Sequence, residues 1–267
     1  MRLVRIDGIE YRGAGAPSRR ELHARVGPGL IETMRARDGR IAHRAWHLGR
    51  LAASIRTLGL VDAPDAAGIE RSLDAALAGF RARDALVRLV VGAGGVYGVE
   101  VAPIDPLPSV PRECTAITVP GGWVPADADA EHKRTDRSHW DRVEGAAAAA
   151  GADIALMTDR TGRLGESTRA SIFVAADGTL RTAPVQGLLP GIGRRVVMQL
   201  AGVVLEDAPP AAIWRRADEV FVVSALRGVT AVTVIDGEPV AGGAAGPLTR
   251  RVARAYRAQA VGATAPA

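Results

Sequence analysis

Four prolines fall within nine residues in the stretch PIDPLPSVP, residues 103–111. Proline cannot continue a helix interior and has no N–H to give to a sheet ladder, so the stretch is extended backbone that neither kind of element crosses. Regular structure on its two sides must therefore be built separately. The chain of 267 residues is long enough for two cores. The expected division is an N-terminal α/β subdomain over 1–103, a proline-rich linker over 104–112 and a C-terminal subdomain over 113–267.

Hydrophobic periodicity fills in the two sides. LVRIDGIEYRG alternates in the strand manner about an Asp7-Gly8 turn, and IETMRARDGRIAHR repeats the pattern about Asp38-Gly39. Leu48, Leu51, Ile55 and Leu58 recur at helical spacing up to Gly59, and IERSLDAALAGFRAR reads as a second amphipathic helix. ALVRLVVGAGG is an apolar strand running into a glycine-rich turn. Past the linker come a strand (TAITVP), an alanine-rich helix to about Ala150, short strands (DIALMTD, SIFVAADG, GTLRTAPV), and a helix in GIGRRVVMQLAG opened by Pro190-Gly191. EVFVVSA and VTAVTVIDGEPV are strands, LTRRVARAYRAQA is a terminal helix, and the tail VGATAPA is expected to fray. Strands and helices mix without a regular βαβ repeat, so the expected class is α+β in two subdomains.

Composition removes several function classes. The pI near 10.2 invites a nucleic-acid reading, yet the net charge is only +5. The arginines alternate with acids, as in RARDGR and RRADEV, and ten aromatic residues leave little for base stacking. No nucleic-acid partner is expected. No apolar run approaches the roughly 18 residues of a membrane span, and MRLVRIDGIEYRG lacks the apolar core of a signal peptide. The single cysteine, Cys114, excludes an internal disulfide and fits a reducing, cytoplasmic setting. No Cys/His spacing suggests a metal site.

The basic residues carry a sharper signal. Of 34, 33 are arginines, and the one lysine is Lys133 in EHKRTDRSHW. Chance loss of lysine is one explanation. Chemistry offers another: a guanidinium stays protonated, whereas an amine can lose its proton and attack a carbonyl. Where only positive charge is wanted, arginine serves equally well. Three further segments supply complementary groups. Arg50 lies in a helix after a hairpin, Glu166 in GRLGESTRASIFV between two strands, and LLPGIG opens a helix whose first N–H groups would face an anion. An amine, a carboxylate, an arginine fork and an N–H cradle are the parts needed to hold pyridoxal phosphate.

Taken in order, these segments resemble the fold type IV pyridoxal-phosphate enzymes, the class IV aminotransferase family. That family includes branched-chain and D-amino acid aminotransferases, amine transaminases and aminodeoxychorismate lyase. The resemblance runs from about Gly29 to Gly237 and rests on IETMRARDG…HLGRL, the Lys133 segment, Glu166 before SIF, LLPGIGR and DEVF. It implies a two-subdomain architecture with a larger C-terminal pseudobarrel, pyridoxal 5'-phosphate as cofactor, a small-molecule amino substrate and a homodimer. Residue by residue, it implies that Lys133 is the Schiff-base lysine and proton shuttle, Glu166 the partner of the pyridine nitrogen and Arg50 the phosphate arginine. Backbone amides of Ile192 and Gly193, with Ser224 and Ala225, would complete the phosphate contacts.

This sequence departs from the family's wording in places. Gly193 and Ala225 stand where relatives often carry threonine, at roughly 1 kcal/mol per missing hydrogen bond, and Ser171 replaces a common asparagine. Weaker or rearranged cofactor binding is the expectation. VVGAGGVYGVE lacks the Arg-x-His of the D-amino acid branch, and HKRTDR, with Arg137 four residues after the lysine, is similar to the lyase version. The leading expectation is an aminodeoxychorismate lyase-like enzyme converting 4-amino-4-deoxychorismate to 4-aminobenzoate and pyruvate, with Arg169 a candidate for the substrate's carboxylates. A strand-surface cation is the competing reading of Arg169. The alternative is an aminotransferase with an amino acid or amine donor and a keto-acid acceptor. A non-catalytic binder is a third class, disfavoured by retention of the sole lysine.

Overall fold

The computed structural model describes residues 1–60, 62 and 64–262. The chain is mixed α+β and divides into two compact units. The first comprises Met1–Pro106 with His132–Asp136 and the chain from Gln259 onward; the second comprises Leu107–Glu131 with Arg137–Ala258.

The first unit holds β1 (Leu3–Ile6), β2 (Ile9–Arg12), α1 (Arg19–Val26), β3 (Gly29–Arg37), β4 (Arg40–Ile41), α2 (Arg44–Thr57), α3 (Ala66–Ala78), β5 (Asp84–Gly92) and β6 (Tyr97–Pro103). Its six strands form one antiparallel sheet in the order β2-β1-β6-β5-β3-β4. Met34, Val87, Leu89, Val99 and Val101 of the sheet are buried with Leu73 and Ala76 of α3 and Leu51 of α2. β5 is buried along its whole length, its charged residues Asp84 and Arg88 being paired with Arg35 and Glu100.

Two elements here were not read from the sequence. α1 is polar, RRELHARV, and is stabilised at its start by a capping box in which Ser18 Oγ accepts from the Glu21 N–H and Glu21 accepts from the Ser18 N–H. β6 follows what reads as a glycine-rich turn and pairs with β5 over seven residues. α3 begins at Ala66, where Asp65 caps it, and stops at Ala78, before the Arg-rich end assigned to it from periodicity.

The second unit holds β7 (Arg112–Val119), α4 (Ser138–Ala149), β8 (Ile154–Thr158), β9 (Leu164–Ser167), β10 (Ala170–Ala176), β11 (Thr179–Thr182), α5 (Ile192–Ala201), β12 (Leu205–Glu206), β13 (Glu219–Ser224), β14 (Gly228–Ile235), β15 (Glu238–Pro239) and α6 (Pro247–Gly262) up to Ala258, the end of α6 grouping with the first unit. Strands β10-β13-β14-β7-β8-β9 pair in sequence, and β9 pairs back to β10, closing a six-stranded barrel. Closure removes free sheet edges. β11 and β12 extend from β10, and β15 from β14. β7 and β8 are parallel with α4 in the crossover, a βαβ unit that the sequence did not suggest. Phe173 and Phe221 face each other across β10 and β13 with stacked rings 5.1 Å apart.

Ile104–Pro111 carries no regular structure. Arg112 already opens β7, one residue inside the expected linker. The tail expected to fray begins at Val261; α6 runs to Gly262, and the rest lies outside the described residues.

The lysine segment departs most from its expected place. The sequence put it in the C-terminal subdomain, whereas His132–Asp136 groups with the first unit. The reason is hydrogen bonding to β3. Ile31 N–H donates to Lys133 O at 2.7 Å, Thr135 N–H to Gly29 O at 2.8 Å, and Gly29 N–H to Thr135 Oγ1 at 2.9 Å. The segment thereby adds to β3 beside β4, with Leu30 bridged to Arg134.

Candidate active site

In the first unit the chemistry gathers on β3, α2 and the lysine segment. α2 turns His47, Leu51 and Ser54 inward, at the i, i+4, i+7 spacing of one helix face. Arg50 lies beside them, its side chain about a tenth exposed. β3 supplies Glu32, which is 1% exposed. Glu32 Oε1 accepts from Arg50 Nε at 2.8 Å, and Oε2 accepts from Arg50 Nη2 at 2.7 Å while facing His47 Nδ1 at 2.7 Å. Burial would push the Glu32 carboxyl up. The Arg50 charge and the hydrogen bonds from His47 and Arg50 outweigh it and hold the pKa at about 2. Lys133 is half-buried, its carbonyl fixed by β3. Its neighbour His132 reaches back to α2, Nδ1 lying 3.0 Å from Ser54 Oγ. Gly29 allows the sheet to close at the start of β3, because a Cβ there would overlap the Val91 carbonyl oxygen.

In the second unit a different set assembles. Glu166 lies within β9 rather than between strands, as the sequence suggested; the strand is only four residues long and flanked by turns. It is 8% exposed and stands opposite Ser171 of β10, which itself stands opposite Val223 of β13. The start of α5 packs onto these same residues. A Cβ on Gly191 would lie 2.7 Å from Ser171 Oγ, and one on Gly193 would lie 3.0 Å from Val223 Cγ2 and 3.2 Å from the Ser224 carbonyl carbon. Glu166, Ser171, Ile192, Gly193 and Ser224 therefore belong to one cluster. No side chain caps the first turn of α5, whose N-cap is Gly191. Ser224 is fixed at the end of β13, its Oγ accepting the Arg227 N–H at 3.1 Å and its carbonyl accepting the Tyr256 hydroxyl at 3.3 Å. Ala225 follows it in the turn to β14. A recess opens here, lined by Glu166, Ser171, Thr182, Val185, Leu188 and Arg194.

The close approach at Gly193 changes how that position reads. From sequence it is a lost threonine hydroxyl; in the structure a side chain there would push the end of β13 away from α5.

Arg169 does not join the cluster. It is an exposed strand-turn cation whose Nη2 lies 2.7 Å from Glu144 Oε2. The sequence reading of Arg169 as a substrate cation has no support in this geometry. Arg137 is the better-buried cation: it donates to Thr168 O at 2.6 Å and stacks over Trp140 at 5.0 Å. Burial and the Arg169 charge lower its pKa, while Asp141, Glu166 and Glu144 raise it. Arg194 is buried on α5, donating to Ala183 O at 2.9 Å and to Glu206 Oε2 at 2.6 Å. Glu32, His47 and Arg194 were not singled out from sequence. For His47 a signal was present in its spacing, three residues before Arg50 on one helix; for Glu32, on β3, no spacing gave one.

The residues fit a phosphorylated, carbonyl-bearing cofactor. A glycine-walled helix start without a side-chain cap presents amides to an anion, and a buried carboxylate stands in the same cluster. Cys114 is no rival nucleophile, because burial and Asp153 push its thiol to about 12. Among the described residues no group of His, Cys, Asp and Glu could hold a metal ion, and no helix is long and apolar enough to cross a membrane.

Residues 29–235 match the family profile described as Amino-transferase class IV. The chain belongs to the class IV aminotransferases. It is 30% identical over 252 residues to a Methanocaldococcus jannaschii protein provisionally named a branched-chain-amino-acid aminotransferase, covering 86% of each chain. It is 38% identical to the D-alanine aminotransferase of Bacillus licheniformis over 111 residues, about two-fifths of each. Among solved structures, an aminotransferase of Mycobacterium tuberculosis described as hypothetical superposes with a TM-score of 0.80 at 24% identity, over 98% of this chain and 99% of that one. The fold is thus that of the fold type IV enzymes, and as a class IV aminotransferase the chain is an enzyme of that family.

Proposed function

We propose that this enzyme is an aminotransferase that moves an amino group from a small amino acid or amine to a keto acid. The likeness over 252 residues to an aminotransferase-named relative carries this reading. The sequence placed the lyase first. Two observations now favour transamination: the named relatives are aminotransferases of two branches, and Arg169, the cation meant for the lyase substrate's carboxylates, is bound to Glu144 on the surface.

The roles of the residues follow from their chemistry. Lys133 Nζ would be the amine that attaches the cofactor and, once neutral, the base that accepts the proton from the substrate's α-carbon. Glu166 would keep the cofactor's ring nitrogen protonated, which a buried carboxylate does better than a solvated one. Arg50 in the first unit, and in the second the amides of Ile192 and Gly193 with the Ser224–Ala225 turn, are each suited to a phosphate oxygen, the role the resemblance implies for them. When bound, pyridoxal phosphate supplies the electron sink for the substrate's α-carbon. We also propose a homodimer, as the resemblance implies.

Aminodeoxychorismate lyase activity is the second reading, favoured by Arg137, a half-buried cation four residues beyond the lysine and within electrostatic reach of Glu166. Amino donors assayed with pyruvate or 2-oxoglutarate, beside an aminodeoxychorismate assay, separate the two. Ping-pong kinetics with keto-acid-dependent turnover supports transamination. Release of pyruvate from aminodeoxychorismate without any acceptor overturns it.

A further inference from the structure

His132, the residue directly before the lysine, has no part in the roles above, yet its side chain reaches α2, where Nδ1 lies 3.0 Å from Ser54 Oγ. Ser54 is buried and shares the inward face of α2 with His47 and Leu51. That face is tied to β3, because Glu32 Oε2 meets both His47 Nδ1 and Arg50 Nη2 at 2.7 Å. On the other side of the lysine β3 itself is the anchor: Ile31 N–H donates to Lys133 O at 2.7 Å, and Thr135 N–H to Gly29 O at 2.8 Å. Between the two anchors, Arg134 N–H donates to His132 O at 3.0 Å. A bond between residues two apart makes a γ-turn, here centred on Lys133. Lys133 is not among the residues of positive φ, so the turn is of the common inverse kind. All of these contacts lie within the first unit.

A lysine amine hangs on a long flexible stem, so the backbone sets its place only by fixing the Cα from which the stem starts. The γ-turn sets the chain direction at that atom, β3 holds the peptide that follows it, and Ser54 holds the residue that precedes it. We propose that Ser54 is a positioning residue: through His132 it presets the Lys133 amine for the cofactor's carbonyl. The inference rests on the reading of Lys133 as the amine that attaches the cofactor. Ordering a reacting group beforehand removes that cost from the bond-forming step.

The test compares binding of pyridoxal phosphate with binding of pyridoxine phosphate, which has the same ring and phosphate but an alcohol in place of the aldehyde, by calorimetric titration of the full chain. Only the aldehyde can take the amine: the bond from Nζ to the carbonyl carbon forms and the carbonyl oxygen leaves as water. A merely structural role would weaken both ligands alike; a positioning role weakens only the aldehyde. Ser54→Ala is expected to lower the preference for the aldehyde about 10-fold or more, within the range that a misplaced reacting group costs, and to leave pyridoxine phosphate binding unchanged. His132→Ala is expected to do the same, and the double variant no more than either, since the two side chains make one contact. Lys133→Ala is expected to lower the preference at least as far. If Lys133→Ala loses the preference while Ser54→Ala or His132→Ala keeps it, the positioning role is overturned and the reading of Lys133 stands. Equal weakening of both ligands in Ser54→Ala overturns the role too. If Lys133→Ala keeps the preference, the reading of Lys133 falls and the inference with it. Should Ser54→Ala fail to fold, His132→Ala, a change at a half-buried residue, decides by the same two titrations.

Discussion

Glu166 and Glu32 are both buried carboxylates, and what surrounds each sets its role. Glu32 is clamped by a guanidinium and an imidazole, so its charge is spent internally. Glu166 lines a recess, which suits it to an exchanging partner. Glu166→Gln keeps the shape and removes the charge, so kcat/KM is expected to fall on the order of 100-fold or more, the scale of a misplaced proton at a reacting system; steady-state kinetics checks this. Arg169→Ala is the contrasting substitution. An exposed ion pair contributes little, so KM and unfolding midpoint are expected to stay at the unsubstituted values, and a raised KM would restore Arg169 to the substrate. The depressed pKa of Glu32 also makes a pH statement. Its native pKa of about 2 lies below the ordinary 4.5, so the native state binds this proton more weakly than the unfolded one. The stabilisation, up to about 3 kcal/mol at about 1.36 kcal/mol per pKa unit, is fully present above pH 4.5 and is lost as pH falls towards 2. Acid unfolding followed by circular dichroism is expected to flatten over that window in Glu32→Gln.

At the level of the element, β3 does several things at once. It is a sheet strand, the support for Arg50 through Glu32, and the backbone partner of the lysine segment. Its first residue, Gly29, closes against Val91 where no Cβ fits. Gly29→Ala must force β3 and β5 apart locally, at a cost of about 1–3 kcal/mol or more. The expected result is a lower denaturant midpoint and faster hydrogen exchange at Ile31 and Thr135, the amides that tie the strand and the lysine segment together. Exchange unchanged at these two amides would show that the segment does not depend on this pairing. Long periodic elements such as α2, α5 and β5 were readable from the sequence because burial patterns them. α1 was not, since its residues are polar and its only signal is the Ser18…Glu21 box. The attachment of His132–Asp136 to β3 was hidden for another reason: it is made by backbone groups and one threonine hydroxyl, which leave no hydrophobic pattern.

Across the whole molecule, the chain first passes from one compact unit to the other between Pro106 and Leu107, and His132–Asp136 and the chain from Gln259 group again with the first. The α+β class was legible from mixed periodicities, and the pseudobarrel followed from the resemblance. Its closure was not legible, because it depends on β9 meeting β10 through two register pairs, Ala170 with Ser167 and Ser171 with Glu166. Those pairs also place Glu166. Lys133, Arg50 and Glu166 were singled out from residue chemistry and motif order, whereas Glu32 emerged from the packing of α2 on β3, where it meets His47 and Arg50.

The lone lysine gives the central claim its most direct test. The purified protein, loaded with pyridoxal phosphate, is scanned in the visible range before and after borohydride, then digested and mapped by mass spectrometry, beside Lys133→Ala. The account requires a visible band that borohydride bleaches, a pyridoxyl-phosphate mass fixed on the peptide containing Lys133, and neither in the variant. A band of equal strength in Lys133→Ala, or a reduced adduct on the terminal amine alone, would contradict it.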